Sequence, residues 1–139
     1  MLDVHAASVA LLAAAAVHLG FQLTVTLVVY PTLAFSPDWD RAHSAHTRSI
    51  TPVVVIVYGA LVLATGWALL ATWIDPWTLL AAAGAGLALL STALVAGPTH
   101  GRLADGRDPA LLRRLLVADR VRTVGAVVFF VGAALGVLR

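Results

Sequence analysis

The sequence predicts an all-α fold, an integral membrane four-helix bundle, and three observations carry the prediction. Sixty per cent of the 139 residues are hydrophobic and only 12% are charged. A soluble domain of this length leaves much of its surface in water and has nowhere to hide so much apolar area. Four apolar stretches each approach the roughly 20 helical residues that cross a bilayer. Most of the arginines gather in two of the three connections.

The elements follow in order along a single transmembrane domain, 1–139. The first span covers about 6–30. It lacks a basic start and its apolar run is too long for a signal peptide, so it reads as a retained helix. Pro31 ends it. Ser36-Pro37-Asp38 places a capping residue beside a proline, so a short interfacial helix is expected from Pro37 to Ile50. The second span covers about 53–73. Only Ile74-Asp75-Pro76 separates it from the third, at about 77–97, which predicts a tight antiparallel hairpin. Small residues in the third span, Gly84, Gly86, Ser91 and Ala93, permit close helix contact. Gly59 and Gly66 in span two, and Gly125, Gly132 and Gly136 in span four, read the same way. Pro98 ends span three. Asp108-Pro109 then starts a helix that runs through "ALLRRLLVADRVRTV" into span four, about 121–138.

Arg41, Arg48, Arg102, Arg107, Arg113, Arg114, Arg120 and Arg122 flank the two long loops, about 31–52 and 98–120. Arg139 alone stands on the other side. The asymmetry predicts cytoplasmic loops, both termini outside the cytoplasm, and a multi-pass protein of the cell membrane. The chain has no cysteine, which excludes thiolate metal sites and cysteine nucleophiles. No phosphate-binding glycine loop or nucleic-acid module is present, so the expected partners are the bilayer, a lipophilic small molecule and further copies of the chain, not nucleic acid.

The two halves look alike. "YPTLA", "SPDW" and "HTRSI" in the first correspond to "GPTHGRLA", "DPAL" and "VRTV" in the second. Parallel repeats build membrane bundles with a site between the halves. The correspondence predicts Arg48 and Arg122 at matching depths.

Polar residues inside the apolar spans are the functional candidates. His18 lies twelve residues before Tyr30, roughly 18 Å deeper along the helix. Gln22 and Thr26 follow at four-residue steps and share its face. His18 and Gln22, with Tyr58 in span two and Asp119 at the start of span four, are the expected substrate-side groups. Interhelical hydrogen bonding is the alternative role. His43 and His46 are three residues apart and share a helix face. His46 continues the stripe through Ile50 and Val53/Val54, so it is expected to turn inward, with His43 facing water. His46, His100, Arg48 and Arg122 are the expected catalytic set. The arginines would hold a substrate oxygen, and a histidine would supply acid or base near neutral pH. A transition metal, if bound, is expected on His46 and His100; imidazole accepts copper, iron and zinc alike.

"GPTHGRLADG" and "DRVRTVGAV", and more loosely "VVYPTLA" and "HTRSITP", resemble motifs of the anthrone-oxygenase-like family of small four-helix membrane proteins. The resemblance implies a membrane oxygenase or oxidoreductase acting on a lipophilic, aromatic substrate. His100 and Asp119 stand where that pattern has asparagine. The sequence thus leaves two readings. One is a membrane enzyme whose histidines and arginines converge on a pocket. The other is a non-catalytic transporter subunit, lipid-binding module or scaffold, in which they fan outward.

Overall fold

The computed structural model describes residues 3–72 and 74–139. Four helices long and apolar enough to cross a membrane make up nearly all of it: α1 (Val4–Ala34), α2 (Trp39–Thr72), α3 (Pro76–Leu103) and α4 (Pro109–Leu138). The chain is an all-α four-helix bundle of the multi-pass membrane type. The expected end of the second span at Trp73 lies outside the described residues.

An aspartate caps each helix start. Asp3 accepts from the Ala6 amide, Asp38 from Arg41, Asp75 from Thr78, and Asp108 from Ala110 and Leu111. Each satisfies amides that the first turn leaves free, worth about 1 kcal/mol apiece. α3 and α4 add a proline in the first turn, where its missing N–H costs nothing.

The expected helix ends at Pro31 and Pro98 are not found. Proline removes a donor and presses its ring on the carbonyl four residues back. Both helices solve this in the same way. The backbone widens into a π turn just before, at Val25–Val29 in α1 and Thr92–Ala96 in α3. A turn closed at five residues instead of four absorbs the conflict. The threonine after each proline then donates to a carbonyl four residues back, Thr32 to Val28 at 2.7 Å and Thr99 to Val95 at 2.6 Å. The repeat seen in the sequence is therefore physical at this point. The long loops expected at 31–52 and 98–120 shrink to 35–38 and 104–108. α2 runs unbroken from Trp39 through Pro52, so the short interfacial helix is the opening of one 34-residue helix. Such a helix is roughly 50 Å long, against roughly 30 Å of bilayer hydrocarbon, so the bundle projects beyond the apolar layer.

Helices adjacent in sequence are adjacent in space, and α4 closes the ring against α1. α3 and α4 pack most closely. A Cβ on Gly125 would stand 2.8 Å from the Gly84 carbonyl oxygen, and one on Gly132 would stand 2.9 Å from the Ala81 Cα. Gly84, Gly125 and Gly132 are thus the contact glycines. Gly59, Gly66 and Gly86 have nothing within 4 Å of a built Cβ, which corrects their expected packing role. The core has two parts. One is mid-bundle, around Leu61, Phe129 and the alanines of α3; the other is at the arginine-rich end, around Tyr30, Trp39, Leu103 and Leu115. At the opposite end, Arg139 forms an ion pair with Asp75 in the α2–α3 turn.

Candidate functional site

The polar stripe of α1 faces the start of the apolar part of α4. Gln22 Nε2 donates to Asp119 Oδ1 at 2.8 Å, and the Thr26 and Thr123 hydroxyls meet at 3.0 Å. Asp119 Oδ1 also accepts from Arg122 Nη2 at 2.9 Å, and both side chains are buried. Arg122 in turn donates to the Tyr30 hydroxyl at 2.9 Å. A charge at this depth requires a partner, because unpaired burial costs far more than the bond returns. Asp119 is that partner, and it sits one helical turn before Arg122.

From Tyr30 the bonds continue onto the other two helices. Its hydroxyl meets His100 Nε2 at 3.1 Å, and His100 Nδ1 meets His43 Nε2 at 3.3 Å. The Trp39 ring stacks on His43 with centroids 5.1 Å apart, and its indole N–H donates to the Leu103 carbonyl. The Arg107 guanidinium lies 5.9 Å over the same indole. One chain of bonds thus joins all four helices, from Gln22 through Asp119, Arg122, Tyr30 and His100 to His43.

Its members Arg122, Tyr30, His100 and His43 form one wall of a cavity of about 940 Å³. The cavity occupies the α2–α3 seam, the thinnest of the four seams of the ring. It is bordered by α2 from Trp39 to Val55 and by α3 from Thr92 to Leu103 with Ala104 just past its end, and Phe21, Val25, Tyr30 and Arg122 lie behind. At its floor the Thr92 hydroxyl bonds Tyr58 at 2.7 Å. Exposed Ser44, Arg48 and Thr51 of α2 and exposed Gly97 and Gly101 of α3 border it sideways. The mouth therefore opens laterally between two helices, and at the arginine-rich end it reaches exposed Asp40 and Ala104.

The expected residues divide into three groups. His46, His100 and Arg122 come together at the cavity; the His46 ring is 5.6 Å from His100 and 6.3 Å from Tyr30, centre to centre. Arg48 borders the same cavity but at its rim, exposed, with Nη2 3.5 Å from Ser44 Oγ. Arg48 and Arg122 do not occupy equivalent positions, because the face of α2 that carries Arg48 turns outward. His18, Gln22, Tyr58 and Asp119 stand behind the lining rather than in it. His18 is wholly buried and edge-on to Tyr58, 5.1 Å away, and neither ring nitrogen has a hydrogen-bond partner among the described residues.

His46 turns inward as expected, but the expected exposure of His43 is corrected. His43 is 3% exposed, locked between Trp39 and His100, whereas His46 is only partly buried. Both fall on the inner stripe of α2, seven and four residues before Ile50. Trp39, tied to the Leu103 carbonyl, and His100 close over the outer of the two and bury it. Tyr30 and Trp39 are the site residues that the sequence reading passed over. Tyr30 continues the four-residue steps of His18, Gln22 and Thr26, which is the signal for it.

The histidines do not fit a metal centre as they stand. Both nitrogens of His100 are engaged, one by Tyr30 and one by His43. Among the described residues no three His, Asp or Glu side chains gather to hold an ion. What the wall does present is a buried guanidinium, a phenol and imidazoles beside apolar space. Such a set binds and polarises an oxygen and moves a proton at it. Comparison with known protein families, with curated proteins and with solved structures finds no match.

Proposed function

We propose that this membrane protein is an enzyme that binds a lipophilic, planar aromatic molecule bearing an ionisable oxygen, and that it acts on that oxygen by proton transfer. The observation that carries this reading is the Arg122 guanidinium, buried at the inner wall of an otherwise largely apolar cavity and held on Tyr30. Arg122 donates to the ligand oxygen and stabilises its anion, and the Tyr30 hydroxyl stands beside that oxygen to take up its proton. His100, within reach of the same hydroxyl, is the acid–base group, with His46 beside it. Aromatic rings of Phe21, Tyr30 and Trp39 border the space and suit a flat ligand. The sideways mouth suits a ligand already dissolved in the membrane. The arginine-rich end faces the cytoplasm, following the charge rule for membrane loops. The chemistry fits an oxidoreductase or oxygenase of phenolic lipids, in which forming an electron-rich phenolate is the first step.

Anthrone, whose enol tautomer carries the ionisable hydroxyl on a flat three-ring frame, is the probe that tests this. Protein in phosphatidylcholine nanodiscs, with Trp39 as the sole tryptophan, is titrated anaerobically and the fluorescence followed. Saturable quenching is expected, weakened tenfold or more by Arg122→Leu. Admitting oxygen should then give one O2 consumed per anthrone, with anthraquinone and water as products, faster than in His100→Ala. Binding that ignores Arg122→Leu overturns the site. Binding through Arg122 with no oxygen uptake leaves a non-catalytic lipid-binding module.

A further inference from the structure

On the reading that the cavity holds an ionisable oxygen at Arg122, we infer that His43 is the outer member of a proton relay, Tyr30–His100–His43, which carries the ligand's proton to water at the arginine-rich end. The polarity of the bonds supplies the argument. Arginine has donors only. Arg122 Nη2 therefore donates to the Tyr30 oxygen, and among the described residues the remaining partner for Tyr30's own proton is His100 Nε2. His100 then carries its hydrogen on Nδ1 and donates it to His43 Nε2. His43 in turn carries its hydrogen on Nδ1. One fixed donor orients three groups, and each points its proton away from the cavity wall.

Imidazole suits this task because it takes a proton on one nitrogen and releases another from the opposite side. When the ligand's O–H breaks, the Tyr30 oxygen gains that proton and passes its own to His100 Nε2. The His100 Nδ1 proton moves to His43 Nε2, and the His43 Nδ1 proton leaves to water. One proton leaves the ligand, one reaches water, and rotation of the hydroxyl and rings resets the chain. His43 is close to the exit, since its neighbours in the helix, Asp40 and Ser44, are exposed and border the cavity. The titratable and charged groups near His43 are Asp40 and His46 on α2 and His100 from α3; Arg107 lies over Trp39, and Tyr30 from α1 and Arg122 from α4 stand behind His100. The opposite direction is closed. Beneath the Tyr58–Thr92 bond the core is Leu11, Ala15, Leu61 and Phe129, and His18 there has no bonded neighbour among the described residues. The relay is thus one-ended and serves the site; it does not cross the membrane. His43 acts through His100 and is a positioning residue of the site.

The test uses a 2-nitrophenol with a hexyl chain, whose phenolate absorbs visible light, bound to saturation in the nanodisc-held protein. A stopped-flow jump from acid to alkaline pH follows its deprotonation. His43→Ala is expected to slow the bound-probe phase at least tenfold, and Tyr30→Phe to slow it as well. Imidazole in the buffer should restore the rate in His43→Ala and fail in His43→Phe, where a ring fills the space; loss of packing alone would not respond in this way. Wild-type rates in both His43 variants, or imidazole without effect on His43→Ala, overturn the relay. A probe that binds equally well to Arg122→Leu overturns instead the reading of the site on which the relay rests.

Discussion

Replacing Asp119 by asparagine isolates one charge. The variant keeps the shape and keeps an Oδ1 to accept from Gln22, so packing and that hydrogen bond survive. What it removes is the partner of Arg122. The two groups meet at 2.9 Å, with side chains only 7% and 4% exposed. At an effective dielectric near 20, charges 4 Å apart attract by about 4 kcal/mol. Orphaning one member of a buried pair costs about 3–5 kcal/mol in general. Asp119→Asn should therefore destabilise the bundle by about that amount. The paired change Asp119→Leu with Arg122→Met removes both charges and should fall within about 1 kcal/mol of wild type, since Gln22 keeps Thr26 and Thr123 as partners. Unfolding by dodecyl sulfate in mixed micelles, read by far-ultraviolet circular dichroism, measures both. A single variant within about 0.5 kcal/mol of wild type, or a double variant less stable than the single, would refute the claim that burial makes this pair matter.

Gly132→Ala should destabilise by about 1–3 kcal/mol through overpacking, whereas Gly86→Ala, with open space around it, should stabilise by about 0.5–1 kcal/mol; the same unfolding assay reads the opposite signs. Burial disfavours the Asp75 carboxylate, but the Thr78 amide and hydroxyl and then Arg139 outweigh it and hold this group below its ordinary value. Its stabilisation is full above about pH 4 and fades as pH falls through the lowered value, so Asp75→Asn should flatten the acid limb of a stability–pH curve. For orientation, cysteines replacing Ser44 and Asp105 should resist an impermeant thiol reagent on intact cells, while one replacing exposed Ile74 should label.

Much of the architecture was legible because a bilayer constrains sequence severely. Span length, the Asp75-Pro76 and Asp108-Pro109 helix starts, and the polar face of α1 followed from composition and spacing. The helix ends at Pro31 and Pro98 were misread because a π turn has no sequence signature that distinguishes it from a stop. Convergence of His46, His100 and Arg122 at one cavity was legible as a grouping of types near one membrane face. Their partners were not. Burial of His43 depends on Trp39 and His100 closing over it, and the exposure of Arg48 depends on the rotation of α2. Both are set by contacts with Leu103, Tyr30 and other residues far away in the chain. The four-residue step from Thr26 to Tyr30 is the one sequence signal that places Tyr30 on the functional stripe.

The sideways mouth between α2 and α3 has a consequence for how occupancy is counted. A ligand that arrives through the membrane is governed by its mole fraction among the lipids, not by its concentration in the surrounding buffer. Diluting a suspension with water should leave the cavity nearly as full as before, whereas adding empty vesicles should drain it. Two cells exposed to the same external dose would fill this protein differently if their membrane areas differed. Apparent dissociation constants in detergent would rise in step with the number of micelles.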